Sequence, residues 1–140
     1  AEALRLTNEE REDRQAHVMP LRDRIIGTVL EEIPQSKLTG HPSRRLPNHA
    51  SFVFEGVDGN EMLMMLDAEG FACSSGSACK TGSPEPSEVL TTLELPRSWA
   101  LGSLRVTLGM GTTPSHVESF LQALPSIVER VRMLSGAIKF

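Results

Sequence analysis

A run of small, polar and turn-forming residues from Ser74 to Ser87 constrains the fold of this chain more than any other feature. Two glycines and two prolines inside it leave no room for a helix or a central strand. Cys79 lies within this run, whereas a cysteine that only fills a core normally lies in an apolar, periodic segment. The sequence therefore predicts a mobile loop on which the Cys79 thiolate could meet a reactant.

The size and composition exclude several classes of protein. A chain of 140 residues fits one domain with a real core. The net charge of −4, with no tyrosine and one tryptophan, argues against nucleic acid as a partner. No apolar run approaches the ~20 residues that span a bilayer, and the first residues lack the layout of a signal peptide. These features predict a protein without a membrane partner, located in the cytoplasm or, if a presequence has been lost, in a matrix-like compartment.

The cysteines and histidines do not form a recognisable metal-binding pattern. Five residues separate Cys73 from Cys79, and the four histidines are scattered. Zinc sites usually contain C-x-x-C pairs or nearby histidines, and a reducing compartment disfavours a structural disulfide. The sequence therefore predicts no metal site. Cys73 is interpreted as a buried structural residue, with a relay or resolving role as the alternative.

The hydrophobic periodicity predicts secondary structure on the N-terminal side of the loop. A charged, solvated helix over residues 5–19 begins at a capping box of Thr7 and Glu10, and Pro20 marks a kink or a restart. A second helical stripe follows from Leu21. The next predicted elements are a short strand at 37–39, a strand at 50–54, a helix at 60–69 that is buried on most sides, and a short strand at 71–73.

On the C-terminal side, a helix is predicted over 87–93 and an alternating strand over 103–108. Leu104, Val106 and Leu108 would share one face of this strand, and Ser103, Arg105 and Thr107 the other. The last helix would start at Pro114, kink at Pro125 and end near Met133. The order of elements predicts an α+β, two-layer domain with one small sheet.

Several motifs in this order resemble a known family. They are Leu46-Pro47-Asn48, Ser51-Phe52, Gly56 with Gly59, Ser74-Ser75-Gly76-Ser77-Ala78-Cys79, Pro86-Ser87, Gly102-Ser103-Leu104-Arg105, Leu108-Gly109 and Thr112-Thr113. Together they resemble the C-terminal, small domain of cysteine desulfurases, which are pyridoxal 5'-phosphate enzymes of the class V aminotransferase group. The resemblance extends from about Leu4 to Met133, so residues 1–140 are interpreted as a single such domain.

The resemblance implies roles for individual residues. Cys79 corresponds to the catalytic cysteine, on a long catalytic loop at about 74–86 that includes Ser74, Ser75, Gly76, Ser77 and Ala78. Arg105 corresponds to the arginine that binds the substrate carboxylate, and Asn48 is expected to take part in substrate binding. Asn48 and His49 would face the cofactor side. The implied fold is the small domain of the fold-type I pyridoxal-phosphate transferases.

The implied reaction converts L-cysteine to L-alanine and leaves a persulfide on Cys79, with the cofactor as the electron sink. The sulfur would pass to an acceptor protein such as an iron–sulfur scaffold, or to a thiolation pathway. The full-length enzyme would be a homodimer. We expect the chain to be part of this transferase and to be inactive alone.

The family's large domain has no counterpart in these residues. That domain supplies the Schiff-base lysine, and Lys37, Lys80 and Lys139 do not lie in a comparable motif. The isolated chain is therefore expected to bind no cofactor. Two alternatives remain open: another aminotransferase-fold enzyme in which Cys79 is incidental, or a cofactor-free sulfur-carrier or interaction module.

Overall fold

Nine helices and strands make up the described part of the chain, residues 2–75 and 85–136 of a computed structural model. In chain order they are α1 (Glu2–Glu9), α2 (Arg11–Glu32), β1 (Ser36–Leu38), β2 (His49–Phe54), α3 (Gly59–Ala68), α4 (Glu88–Thr92), α5 (Arg97–Ala100), β3 (Ser103–Thr107) and α6 (Pro114–Leu134).

The three strands form one antiparallel sheet in the order β1-β2-β3. Ala50 lies opposite Val106, and Phe52 lies opposite Leu104, so these apolar side chains share one face. Phe54 belongs to the same face, as predicted, and it is fully buried with Phe52. Residues of α2, α3 and α6 form one core with this face. The α+β prediction with one small sheet is therefore confirmed.

The opposite face of the sheet carries polar side chains and a smaller apolar cluster. Val53 is fully buried there with Leu90 of α4 and Ala100 of α5, and Trp99 packs against them. Helix α5 is absent from the sequence-based prediction, because four residues are too few to show a helical period. The two short helices cover only part of this face.

The break between the first two helices lies at Glu10, so the alternative of a helix restart at Pro20 is wrong. Pro20 lies inside α2, which continues to Glu32. A proline inside a helix costs about 3 kcal/mol, and the cost is offset because the residues on both sides of it contribute to one buried stripe. That stripe comprises Val18, Leu21, Ile25 and Val29. The predicted capping box is also wrong, since Thr7 lies within α1.

Two further predictions need correction. Helix α3 buries one side only, since Met62 and Leu66 are buried while Met64 is 72% exposed. The predicted strand at 71–73 is absent, and the segment contacts the sheet through an isolated bridge between Ser74 and Arg105. A single bridge suffices to hold the segment at the edge of β3 without forming a strand.

The start of α6 follows the sequence-based prediction. Thr113 is its N-cap, and its side chain accepts a hydrogen bond from the His116 backbone N–H at 3.2 Å. His116 Nδ1 accepts in turn from the Thr113 N–H at 3.3 Å, and Pro114 occupies the first turn. The helix continues through Pro125 to Leu134.

A buried arginine joins the end of α6 to the turn after α2. Arg132 is 8% exposed and donates to the carbonyl oxygens of Glu55, Pro34 and Gln35 at 3.0, 2.8 and 3.2 Å. Burial lowers the pKa of its guanidinium from the usual value. Because three carbonyls surround it, this cation contributes to the structure of the domain.

Gly102 lies where a side chain cannot fit. A Cβ built on it would lie 2.1 Å from the Phe54 carbonyl oxygen and 3.1 Å from that of Val57. We expect Gly102→Ala to destabilise the chain by about 3 kcal/mol or more, since backbone must move to relieve the overlap. Urea unfolding of the chain measures this difference.

Gly27→Ala is the matched control. Gly27 is exposed within α2, and a Cβ there meets nothing within 4 Å. Alanine is the better helix former, so this variant should gain about 0.5–1 kcal/mol. Equal effects of the two substitutions would contradict the steric argument.

Residues 2–75 and 85–136 contain neither a membrane-spanning helix nor a metal-binding cluster. None of the helices there has the length and apolar character needed to cross a membrane. Among the same residues, no three His, Cys, Asp or Glu side chains are grouped so that they could hold a metal ion.

Candidate functional site

Arg105 lies in the middle of β3 on the polar face of the sheet. Its direct neighbour on β2 is Ser51, and Thr39 follows on the far side of Ser51, with its Oγ1 2.8 Å from Ser51 Oγ. Ser74 lies on the other side of Arg105. A row of four residues therefore crosses the sheet and contains three hydroxyl groups and one guanidinium. Its members are Thr39, Ser51, Arg105 and Ser74. We call it the hydroxyl row.

Three hydrogen bonds join Ser74 to Arg105. The Arg105 N–H donates to the Ser74 carbonyl at 2.6 Å, and the Ser74 N–H donates to the Arg105 carbonyl at 3.2 Å. In addition, Arg105 Nη2 donates to Ser74 Oγ at 3.1 Å. Residues paired in this way point their side chains to the same face. The start of the Ser74–Ser87 run is therefore fixed to the strand that carries the guanidinium.

The hydroxyl row borders a concavity of about 280 Å³ between the sheet and α4. Its walls include Thr39, His49, Ser51, Ser103 and Arg105 from the sheet side, and Ser87, Val89, Leu90 and Leu93 from the helix side. Among these residues the charged or titratable side chains are His49 and Arg105. The described wall therefore offers a cation and hydroxyl groups, which suit a carboxylate.

His49 lies two residues before Ser51 on the same face, close to two guanidinium groups. Burial lowers its pKa below the usual value, and the positive charges of Arg45 and Arg105 lower it further. Arg45 also donates to the carbonyls of Thr39 and His49, at 2.8 and 3.3 Å. The neutral imidazole is therefore the favoured form near pH 7.

Asn48 lies outside this concavity. Its Nδ2 donates to the Leu108 carbonyl at 3.1 Å, and its own carbonyl accepts from the Leu108 N–H at 2.9 Å. It lines a second concavity of about 360 Å³, together with Leu46 and Met110 among others. The side-chain amide thus holds the end of β3, and the predicted substrate-binding role of Asn48 stays a prediction.

Cys73 is partly buried and packs against the main core. Burial raises the pKa of its thiol to about 11. A thiol of this kind is almost entirely protonated at neutral pH and is a poor nucleophile. The environment agrees with the structural interpretation of Cys73, although the predicted strand before it is absent.

The other predicted loop residues are divided by the boundary of the described chain. Ser74 and Ser75 are partly buried. Gly76, Ser77, Ala78 and Cys79 lie outside the described residues, so their predicted roles stay predictions. Thr39 was not among the predicted site residues, and Ser51 belonged to a matching motif without an assigned role. Ser51 does alternate with the apolar Ala50 and Phe52, which is the signal that could have placed it on the polar face.

Curated relatives align with most of this chain. It is 40% identical over 133 residues to the cysteine desulfurase IscS of Methanosarcina thermophila, which covers 95% of the chain and 33% of the relative. It is 37% identical over 124 residues to the cysteine desulfurase NifS of Azotobacter vinelandii, covering 89% of the chain and 31% of the relative. The chain thus spans about a third of the length of these relatives.

The fold is also found in solved structures. A NifS-like protein from Rickettsia africae superposes with a TM-score of 0.76 over 89% of this chain and 31% of its own, at 22% identity. That likeness concerns the fold alone. The family model for class-V aminotransferases matches residues 1–120. The chain therefore belongs to the class-V aminotransferase family.

Proposed function

We propose that residues 1–140 are the C-terminal, small domain of a pyridoxal-phosphate-dependent cysteine desulfurase with a long catalytic loop. The observation that carries the proposal is the pairing of Ser74 with Arg105. It connects a guanidinium suited to a carboxylate with the start of the segment that contains Cys79. A desulfurase needs both groups in one site, because it must bind an amino acid and attack its sulfur.

Arg105 is the proposed carboxylate-binding residue. A guanidinium can donate two parallel hydrogen bonds to one carboxylate, which fixes the orientation of the amino acid. The neighbouring charges support this role, since none of the residues that line the concavity is acidic and Arg45, near His49, is positive. L-cysteine would thus be held by its carboxylate, with its thiol directed toward the loop.

Cys79 is the proposed nucleophile. Its thiolate attacks the sulfur of L-cysteine, and a new S–S bond forms while the bond between sulfur and the substrate's β-carbon breaks. The electron pair of the broken bond stays on that carbon, which takes up a proton, and L-alanine leaves. The products are L-alanine and a Cys79 persulfide, so the step needs no external oxidant or reductant.

We infer that the described residues contribute no covalent site for pyridoxal phosphate. The Lys37 Nζ lies 3.8 Å from the centroid of the Trp99 ring and makes a cation–π contact with it. Lys80 and Lys139 lie outside the described residues. We therefore assign the cofactor lysine to a large domain of the complete enzyme, and no step of the cofactor chemistry to this chain.

The desulfurase assignment also implies a sulfur acceptor, a compartment and an oligomeric state for the complete enzyme. The persulfide sulfur would be delivered to an acceptor protein, for iron–sulfur cluster assembly or for thiolation. The complete enzyme would be a cytoplasmic homodimer. Because these statements concern the whole protein, they depend on the desulfurase assignment and are tested with it.

Comparison of the complete protein with the isolated chain tests the proposal. With pyridoxal phosphate and L-cysteine, the complete protein should release L-alanine in proportion to transferred sulfur. After incubation with cofactor and reduction by borohydride, a mass spectrum should show one stoichiometric adduct on a lysine outside residues 1–140. The isolated chain should give neither result, because it lacks the cofactor lysine.

Two outcomes would contradict this proposal. A stoichiometric adduct on Lys37, Lys80 or Lys139 would place the cofactor site in this chain. Absence of L-alanine formation by the cofactor-loaded complete protein would favour another aminotransferase-fold enzyme or a sulfur carrier. Transamination without sulfur transfer distinguishes the first of these alternatives from the second.

A further inference from the structure

The segment that leads to Cys79 contacts β3 at the residue that carries the guanidinium. The bridge between Ser74 and Arg105 is an isolated one, outside the three named strands. Both backbone hydrogen bonds of the bridge belong to these two residues, with N···O distances of 2.6 and 3.2 Å. Within the described part of this segment, the backbone contact with β3 is therefore made between Ser74 and Arg105.

The side chains repeat the contact made by the backbones. The Ser74 hydroxyl accepts a hydrogen bond from Arg105 Nη2 at 3.1 Å, and both residues are partly buried. A long arginine side chain has several rotatable bonds, so binding a carboxylate costs conformational entropy if the side chain is not already held in place. A neighbouring hydroxyl that already holds one terminal nitrogen reduces that cost.

We propose that Ser74 is a positioning residue, which fixes the guanidinium of Arg105 for the substrate carboxylate. The inference rests on the proposed function, since it takes Arg105 as the carboxylate-binding residue. It goes further by assigning a separate task to Ser74. In this assignment Ser74 acts through Arg105, by the hydrogen bond between Arg105 Nη2 and Ser74 Oγ.

The test uses two ligands that differ only in the carboxylate. L-alanine is ethylamine with a carboxylate on the amine-bearing carbon, so the ratio of their dissociation constants measures carboxylate recognition. Calorimetric titration of the complete, cofactor-loaded enzyme gives this ratio without turnover. We expect Ser74→Ala to reduce the preference for L-alanine by about tenfold, the typical effect of one hydrogen bond to a charged group, and to leave ethylamine binding unchanged.

Two further variants separate positioning from general structure. Ser74→Thr retains a hydroxyl and should retain most of the preference. Ser36→Ala removes a hydroxyl from the other face of the sheet, where it donates to the Val29 carbonyl at 3.1 Å. That variant should bind both ligands as the wild type does, even if its unfolding midpoint falls.

The outcomes distinguish this inference from the proposed function. If the wild-type enzyme binds L-alanine no more tightly than ethylamine, Arg105 does not recognise a carboxylate and the proposed function fails. If the wild type discriminates and Ser74→Ala discriminates equally, the inference alone is overturned. A Ser74→Ala enzyme that fails to fold, or that loses both affinities in equal proportion, would assign Ser74 to structure and also overturn it.

Discussion

In the complete enzyme, Cys79→Ser should abolish persulfide formation and reduce L-alanine release by at least about a thousandfold, because loss of a catalytic nucleophile costs this much or more. A serine hydroxyl remains protonated at neutral pH, and its oxygen cannot form a persulfide. The substrate-dependent absorbance change of the cofactor should survive, since amino-acid binding does not require the thiol. Detection of persulfide by alkylation and mass spectrometry, beside an assay of L-alanine, measures both results.

Cys73→Ala is the control for this experiment. The Cys73 thiol is partly buried and its pKa is raised to about 11, so very little thiolate exists near pH 7.5. This variant should retain most of the turnover. For the same reason, brief treatment of the wild-type protein with iodoacetamide should label Cys79 well before Cys73. Faster labelling of Cys73, or full activity of the Cys79→Ser enzyme, would show that Cys79 is not the nucleophile.

The sequence predicted those elements whose signals are local. The capped start of α6 at Thr113 and Pro114 depends on residues three positions apart, and the structure has it there. The strands at β2 and β3 follow from the two-residue alternation of apolar side chains. The α+β class then follows from the order of elements, because one apolar sheet face requires helices to cover it.

The features that the sequence did not predict depend on tertiary contacts. Pro20 reads as a helix break, yet buried residues on both sides of it keep α2 continuous. The segment at 71–73 is apolar enough for a strand, but it pairs with β3 only at Ser74. An arginine near the end of a helix is expected to be exposed. Arg132 is buried because the fold brings three backbone carbonyls together, and these accept its hydrogen bonds.

The same contrast between local sequence signals and tertiary contacts applies to the candidate site. Cys79 and Arg105 can be found in the sequence because their motifs resemble a family. The hydroxyl row cannot, since its members are far apart in the chain and the register of three strand contacts brings them together. A shift of one residue in that register would move Arg105 away from Ser51 and Ser74. Sequence patterns therefore proposed the reactive groups and left their surroundings unpredicted.

Arg105→Lys, which retains the positive charge, should lower kcat/KM for L-cysteine by about ten- to a hundredfold, the loss expected when one charged hydrogen bond of roughly 1.5–3 kcal/mol is removed. Lysine presents a compact ammonium, which cannot offer two parallel hydrogen bonds to a carboxylate. It also cannot keep the planar arrangement in which Nη2 reaches Ser74 Oγ. Steady-state kinetics with L-cysteine measures the change.

Arg24→Lys provides the matched control, because it makes the same replacement in an exposed ion pair with Glu118, where Nε and Oε1 are 3.0 Å apart. Exposed pairs of this kind contribute little, so kcat/KM should stay within about twofold of the wild type. If Arg105→Lys behaves like Arg24→Lys, charge alone suffices or the carboxylate binds elsewhere, and the assignment of Arg105 is wrong. A large loss confined to Arg105→Lys would show that the geometry of the guanidinium, and not only its charge, selects the substrate.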